Sequence, residues 1–73
     1  MSEIEFISIS PLELFKRLGN EEQVYVYFNN TGKMKPLIDE KLNSIYNYIW
    51  SNTCRFYRVR EISDGRVVDL KWQ

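Results

Sequence analysis

The sequence predicts a small two-layer α/β (α+β) domain with the element order β-α-β-α-β-β, on three observations. Residues 35–50 have the apolar periodicity of an amphipathic helix, and residues 10–20 have the start and stop signals of a shorter helix. Residues 55–72 contain two β-forming runs around a tight-turn dipeptide. The 73 residues are expected to form a single domain, 1–73, with a thin core.

The first predicted elements are a strand over residues 3–8 and a short helix. Apolar residues of the strand occupy both parities, Ile4 and Phe6 on one and Ile7 and Ile9 on the other. This pattern indicates either a strand buried on both sides or a bulge. The run Ser10-Pro11-Leu12-Glu13 matches a capping box with proline at the first helical position. The helix is predicted to turn Leu14, Phe15 and Leu18 inward and to end in a left-handed cap at Gly19-Asn20.

The middle of the chain predicts a strand, a turn and the long helix. In the strand, residues 23–28, Val24, Val26 and Phe28 alternate with Tyr25 and Tyr27. The turn residues Asn29-Asn30-Thr31-Gly32 follow. The helix over Lys35–Trp50 is then predicted to bury one apolar stripe, made of Ile38, Leu42, Ile45 and Ile49 with Tyr46 and Trp50 on its flank.

The last third predicts a β-hairpin with a defined register. Asp64-Gly65 is the composition of a two-residue type I′ loop, which places Ser63 opposite Arg66 and Arg60 opposite Asp69. Alternation then separates two faces. One face, predicted to pack on the helices, carries Tyr57, Val59, Val68, Leu70 and Trp72. The other, predicted to face water, carries Phe56, Arg58, Arg60, Asp69 and Lys71.

Helices between successive strands imply parallel crossovers, so the sequence predicts a four-stranded mixed sheet with a C-terminal hairpin. If both crossovers step in the same direction, the strand order is 1-2-3-4 and both helices cover one face. If the second crossover reverses, the order is 2-1-3-4. We expect the helices mainly on one face because the polar side of the hairpin has the composition of a solvated surface.

The composition argues against most catalytic and metal chemistry. The chain has no histidine and a single cysteine, so we expect neither a metal site, a cofactor, nor enzymatic activity. A Cys54-dependent enzyme, with Arg55 lowering the pKa of the thiol, is the least favoured alternative. One cysteine and the absence of a leader pattern or long apolar run predict a cytoplasmic protein that does not enter a membrane.

One group of residues is a candidate binding surface. If the strand over residues 23–28 neighbours the first hairpin strand, aromatic and basic side chains share the open face: Tyr25, Tyr27, Phe56, Arg58, Arg60 and Lys71. Such a surface fits a protein partner, and the function expected is a small regulator or inhibitor acting by protein binding. The alternative is single-stranded nucleic acid, which the zero net charge disfavours. An ordinary amphipathic sheet face without a ligand is equally consistent with the composition.

The strand over residues 66–72 is predicted to lie at a sheet edge. Its residues are strongly β-forming, no proline interrupts them, and Asp69 and Lys71 guard the edge only in part. We therefore predict a homodimer formed by antiparallel pairing across residues 66–72.

Overall fold

The computed structural model describes residues 3–70, which form two helices and one open antiparallel sheet. The elements are β1 (Glu3–Ile9), α1 (Pro11–Gly19), β2 (Val24–Phe28), β3 (Lys33–Pro36), α2 (Leu42–Trp50), β4 (Cys54–Ser63) and β5 (Arg66–Asp69). This architecture confirms the small α+β class and the C-terminal hairpin.

Strand β4 is the centre of the sheet. The strand order is β1-β4-β2-β3, and β5 also pairs with β4. Strand β2 pairs with the first half of β4 and β5 with its second half, while β1 runs along the opposite edge. The backbone N–H of Gln23 donates to the carbonyl of Leu70 at 2.8 Å, so β2 and β5 meet end to end.

The predicted mixed four-stranded sheet, in the order 1-2-3-4 or 2-1-3-4, was wrong. Every strand pair is antiparallel, and a fifth strand, β3, is present. Strands β1 and β2 do run parallel to each other, as a connection through α1 requires, but β4 is inserted between them. The insertion is possible because β4 has ten residues while β5 occupies only four of them, which leaves the other half of that edge for β2.

The predicted helix over Lys35–Trp50 begins later than expected. Residues 33–36 form β3, because the chain turns back at Gly32, which has φ +69° and donates its N–H to the carbonyl of Phe28 at 2.8 Å. Pro36 is the last residue of this strand and does not lie in the first turn of a helix. Leu37 donates its N–H to Val24, so by alternation the position of Pro36 faces away from β2 and needs no N–H there.

The buried side of α2 therefore differs from the predicted stripe. Ile45 is buried and Ile49 packs against the core, as predicted. Ile38 lies before the helix and is exposed. Leu42, the first residue of the helix, is also exposed. Leu37, which directly follows β3, fills the core position instead and is 2% exposed.

Helix α1 follows its sequence signals closely. The Ser10 side chain accepts a hydrogen bond from the Glu13 N–H at 3.3 Å, which confirms Ser10 as the N-cap. Leu14 is fully buried, whereas Phe15 remains partly exposed. The predicted left-handed cap at Gly19-Asn20 was wrong, since Glu21 is the residue with positive φ, at 60°.

The core lies on a single face of the sheet, between the strands and both helices. Its buried members come from β1, α1, β2, α2 and β4 and from the residue after β3: Ile9, Leu14, Val24, Val26, Leu37, Ile45 and Phe56. We call this side the helix-covered face. The other side, which neither helix covers, is the open face.

The predicted hairpin is confirmed. It has the predicted register, including Ser63 opposite Arg66, with positive φ at Asp64 and Gly65 as a type I′ turn requires. Strand β1 pairs with β4 without interruption, which excludes the predicted bulge. The strand is not buried on both sides either, since Ile4 and Phe6 are 53% and 47% exposed.

Candidate partner-binding surface

The six residues of the predicted surface do not share one face. Tyr25 lies opposite Tyr57, and Val24 lies opposite Arg58, so tyrosines and arginines point to different sides of the sheet. Tyr25 and Tyr27 are on the open face. Three others are on the helix-covered face, namely Phe56, Arg58 and Arg60. Lys71 and Trp72 lie outside the described residues.

The alternation of side chains along the hairpin was predicted correctly. However, the face predicted to pack on the helices is the open face, and the face predicted to be solvated is covered by the helices. Phe56 lies between Ile9 on β1 and Val26 on β2, and it is 4% exposed in the centre of the core. The burial of this large aromatic side chain between β1 and β2 therefore marks the side of the sheet that the helices cover. Val59, predicted to pack on the helices, lies on the open face opposite Phe6.

Carboxylates from two neighbouring strands pair with Arg58 and Arg60 on the helix-covered face. Arg58 forms an ion pair with Asp69, and Arg60 donates from Nε to Glu5 at 3.2 Å. Arg17, on α1, reaches the other oxygen of Asp69 at 3.2 Å. The hairpin is thereby tied to α1 by charge-assisted hydrogen bonds.

Arg17 is the centre of this group. It donates to Glu13 at 3.0 Å and to Glu22 at 2.9 Å, and the Glu22 side chain is only 6% exposed. The hydrogen bonds to Glu13 and then to Glu22 raise the pKa of the Arg17 guanidinium above its usual value. The guanidinium of Arg17 thus lies against the nearly buried side chain of Glu22 and offsets the cost of its burial.

The open face is apolar and rich in aromatic residues. Its members from five strands are Ile4, Phe6, Tyr25, Tyr27, Met34, Tyr57, Val59 and Val68, with Leu70 following β5. The rings of Phe6 and Tyr25 meet edge to face across β4, with centroids 5.6 Å apart. Tyr27 and Tyr57 form a second edge-to-face pair at 6.5 Å.

This face remains accessible to a ligand although its centre is well packed. Val59 is 3% exposed, so the neighbouring side chains of the open face cover it in place of a helix. Around it Ile4 is 53%, Phe6 47% and Val68 54% exposed. Contiguous apolar surface of this kind is typical of interaction sites.

Few charges lie on the open face. By alternation the charged members are Arg55, near the start of β4, and Glu61 and Arg66, near the hairpin loop. They are at the two ends of the patch, with the aromatic side chains between them. This arrangement resembles an apolar centre with a polar rim.

A second apolar surface runs along the outside of the helices. Phe15 of α1 contacts Tyr46 of α2 with ring centroids 5.6 Å apart. Leu12 and Trp50, one turn away on each helix, are 85% and 81% exposed. We call these four residues the helix stripe. The sequence pattern predicted Phe15 inward and placed Tyr46 and Trp50 beside the buried stripe, so this surface was not expected.

Cys54 is the first residue of β4 and lies against the core. Its Sγ accepts a hydrogen bond from the Ser51 hydroxyl at 3.4 Å, and its side chain packs against the core. It borders a cleft of about 320 Å³. Among the described residues, the polar side chains that line this cleft are Ser8, Asn52 and Arg55, none of which is a carboxylate.

Between residues 3 and 70, no three Cys, Asp or Glu side chains come together in a way that could hold a metal ion. Neither of the two described helices is long and apolar enough to cross a membrane. No protein-family model, curated protein or solved structure matches this chain.

Proposed function

We propose that this protein is a small, non-enzymatic interaction module that binds a protein partner through the open face of its sheet. The observation that carries the proposal is the exposed apolar cluster of Ile4, Phe6 and Val68 around two aromatic pairs, on a face that neither helix covers. A regulator or inhibitor is the kind of protein that acts through such a surface without chemistry of its own.

The composition of the open face supports a protein partner. Tyrosine and phenylalanine are enriched in the cores of protein interfaces, and tyrosine also at binding hot spots. Aliphatic residues such as Ile4 and Val68 gain free energy by burial against another apolar surface. They cannot stack on nucleic-acid bases as aromatic rings do.

Single-stranded nucleic acid remains the second candidate, because Arg55 and Arg66 flank the aromatic residues of the open face. Arg58 and Arg60, which the sequence placed on this face, form ion pairs on the helix-covered face instead. Arg58 pairs with Asp69 and Arg60 with Glu5. A chain with zero net charge also has a weak electrostatic basis for phosphate binding.

The proposal includes a cytoplasmic location and no cofactor. The location is supported by the single cysteine, which is free. The absence of histidine from the sequence supports a role in binding over catalysis.

Paired lysine substitutions test which surface binds. In the first variant, Val68→Lys and Met34→Lys place charge at two ends of the open face, and Val68 lies opposite Glu61, which can accept the new ammonium. In the matched control, Leu12→Lys and Trp50→Lys place the same charge on the helix stripe. Both variants and the unmodified protein are immobilised and exposed to native lysate, with and without nuclease, after circular dichroism confirms folding.

We expect the unmodified protein and the helix-stripe variant to retain the same protein, and the open-face variant to lose at least about nine tenths of it, since buried lysine charges cost more than one hot-spot contact. Nuclease should not release it. Retention by the open-face variant contradicts the proposal. Release by nuclease, with a steep dependence of binding on salt, would favour the nucleic-acid candidate instead.

A further inference from the structure

Strand β1 forms an exposed edge of the sheet. Among the described strands it pairs only with β4, so its other side faces away from the sheet. The opposite edge, β3, has four residues and includes Lys33, Lys35 and Pro36, which discourage pairing with another strand. Strand β1 has seven residues and contains neither proline nor a basic side chain. Strand β1 therefore lacks most of the features that prevent an edge strand from pairing with another strand.

The hydrogen-bonding groups on this edge can be assigned from the sheet register. Leu70 donates its N–H to the carbonyl of Val59 at 3.0 Å, so the polar groups of Val59 point toward the β5 side of β4. Phe6 lies opposite Val59, and its own N–H and C=O therefore point away from β4. By alternation the same holds for Ile4 and Ser8.

We infer that β1 pairs with β1 of a second copy of this chain, antiparallel, with Phe6 of one copy opposite Phe6 of the other. In this register Ile4 of each copy lies opposite Ser8 of the other, and all of Glu3–Ile9 is paired. Each outward N–H meets an outward C=O across the interface. The contact is two-fold symmetric and closed, as expected of a homodimer.

Neighbouring registers are less favourable. Displacing one copy by two residues in one direction places Glu5 opposite Glu5, which is a like-charge contact. The opposite displacement leaves Glu3 and Ile4 without a partner strand. In the register centred on Phe6, Glu5 instead lies opposite Ile7, and its charge is already balanced by Arg60 at 3.2 Å.

The dimer would join the two open faces into one surface. Phe6 is on the open face of each copy, so the two rings would meet at the dimer axis and connect the aromatic clusters on either side. A partner of the open face would then contact up to twice the area. The dimer does not depend on that partner, and its own formation can be tested without one.

Strand β5 is the competing edge, because the sequence predicted the homodimer across residues 66–72. Its described part has only four residues, against seven in β1. The carbonyl of Leu70, immediately beyond it, is occupied by Gln23. We therefore assign the dimer to β1 and use β5 as the control.

Disulfide trapping tests the register. In a Cys54→Ala background, Phe6→Cys places two thiols at the dimer axis, where opposed Cα atoms of a hydrogen-bonded pair lie about 5.5 Å apart and can form a disulfide. The control Ile4→Cys places its two thiols four residues out of register, about 13 Å apart. Mild oxidation should convert most of the Phe6→Cys protein, and little of the Ile4→Cys protein, to covalent dimer. Equal or reversed yields would overturn the register.

Sedimentation equilibrium with two prolines tests the edge. Ser8→Pro removes an outward N–H from β1, and Val67→Pro removes an outward N–H from β5, while neither position donates to β4. We expect the dissociation constant of the dimer to rise at least about tenfold for Ser8→Pro, because each copy loses a donor. It should stay unchanged for Val67→Pro. A monomeric unmodified protein, or a dimer lost only with Val67→Pro, would overturn the inference.

Discussion

The helix-covered face and the open face belong to the same strands, but their side chains are stabilised by different contacts. On the helix-covered face, Arg58 and Arg60 are balanced by carboxylates, one of which also binds Arg17 of α1. On the open face, Val59 is buried under neighbouring strand residues, with Phe6 and Tyr25 in ring contact across it. One face is therefore completed within the chain, whereas the other leaves apolar surface for an external partner.

This difference shows that charge alone does not mark the outer side of a small sheet. Arginines can lie on the helix-covered face when carboxylates of neighbouring strands pair with them, as Asp69 does with Arg58 and Glu5 with Arg60. Aromatic residues can remain outside when they shield each other.

The neighbours Phe56 and Tyr57 point to opposite faces and give the most severe comparison. Phe56→Ala empties the centre of the core and should cost about 3 to 5 kcal/mol, which approaches the whole stability of a domain this small. Tyr57→Ala, on the half-buried open face, should cost about 1 to 2 kcal/mol. Urea denaturation followed by circular dichroism measures both. A larger loss for Tyr57→Ala would mean that the faces are assigned the wrong way round.

Arg17→Ala should have the next largest effect. It leaves Glu22 at 6% side-chain exposure without its cation and removes the link from α1 to Asp69. We expect a loss of about 2 kcal/mol, between the values for exposed and buried ion pairs. Arg17→Lys keeps the charge but not the forked geometry, so its loss should be smaller. An alanine variant as stable as the unmodified protein would show that the network contributes nothing.

The Phe6 and Tyr25 ring pair should contribute less. A double-mutant cycle with Phe6→Ala and Tyr25→Ala should give a coupling free energy of about 1 kcal/mol, typical of edge-to-face pairs. The same cycle with Phe6→Ala and Tyr46→Ala, which joins residues of different surfaces, is the control and should give additive effects. Additivity in both cycles would indicate that the rings on the open face do not support each other.

The smallest effect concerns Lys35, whose ammonium donates to Glu40 near the start of α2. This hydrogen bond raises the pKa of Lys35 above 10.5. A raised pKa means that the contribution to stability is present in full below the unfolded value and is lost as pH rises through the folded value, so it should not change near neutrality. An NMR titration should show Glu40→Gln lowering the Lys35 pKa, whereas Asp39→Asn should leave it nearly unchanged.

The parts of the fold that depend on nearby residues were predictable from the sequence. The Ser10 cap and the Asp64-Gly65 register each involve a few adjacent positions, and both are confirmed. The alternation of Val24 and Val26 with the tyrosines of β2 was predictable for the same reason.

The remaining features depend on contacts between distant segments. Insertion of β4 between β1 and β2 is a long-range pairing that no local pattern encodes. Residues 33–36 pair with β2 although their sequence, Lys-Met-Lys-Pro, has little strand character. The orientation of the hairpin depends on where Phe56 meets β1 and β2. Arg58 and Arg60 were predicted on the wrong face because groups that surround them, such as Glu5 and Arg17, lie far away in sequence.

Radical footprinting of the captured complex tests the central claim, which is that the open face is the binding surface. Met34 lies on the open face and Trp50 on the helix stripe, and both are exposed side chains of readily oxidised types. Hydroxyl radicals are generated with and without the bound partner, and oxidation at each residue is measured by mass spectrometry. We predict that the partner lowers oxidation of Met34 several-fold and leaves Trp50 unchanged. Protection of Trp50 with unchanged Met34 would contradict this account and place the partner on the helices.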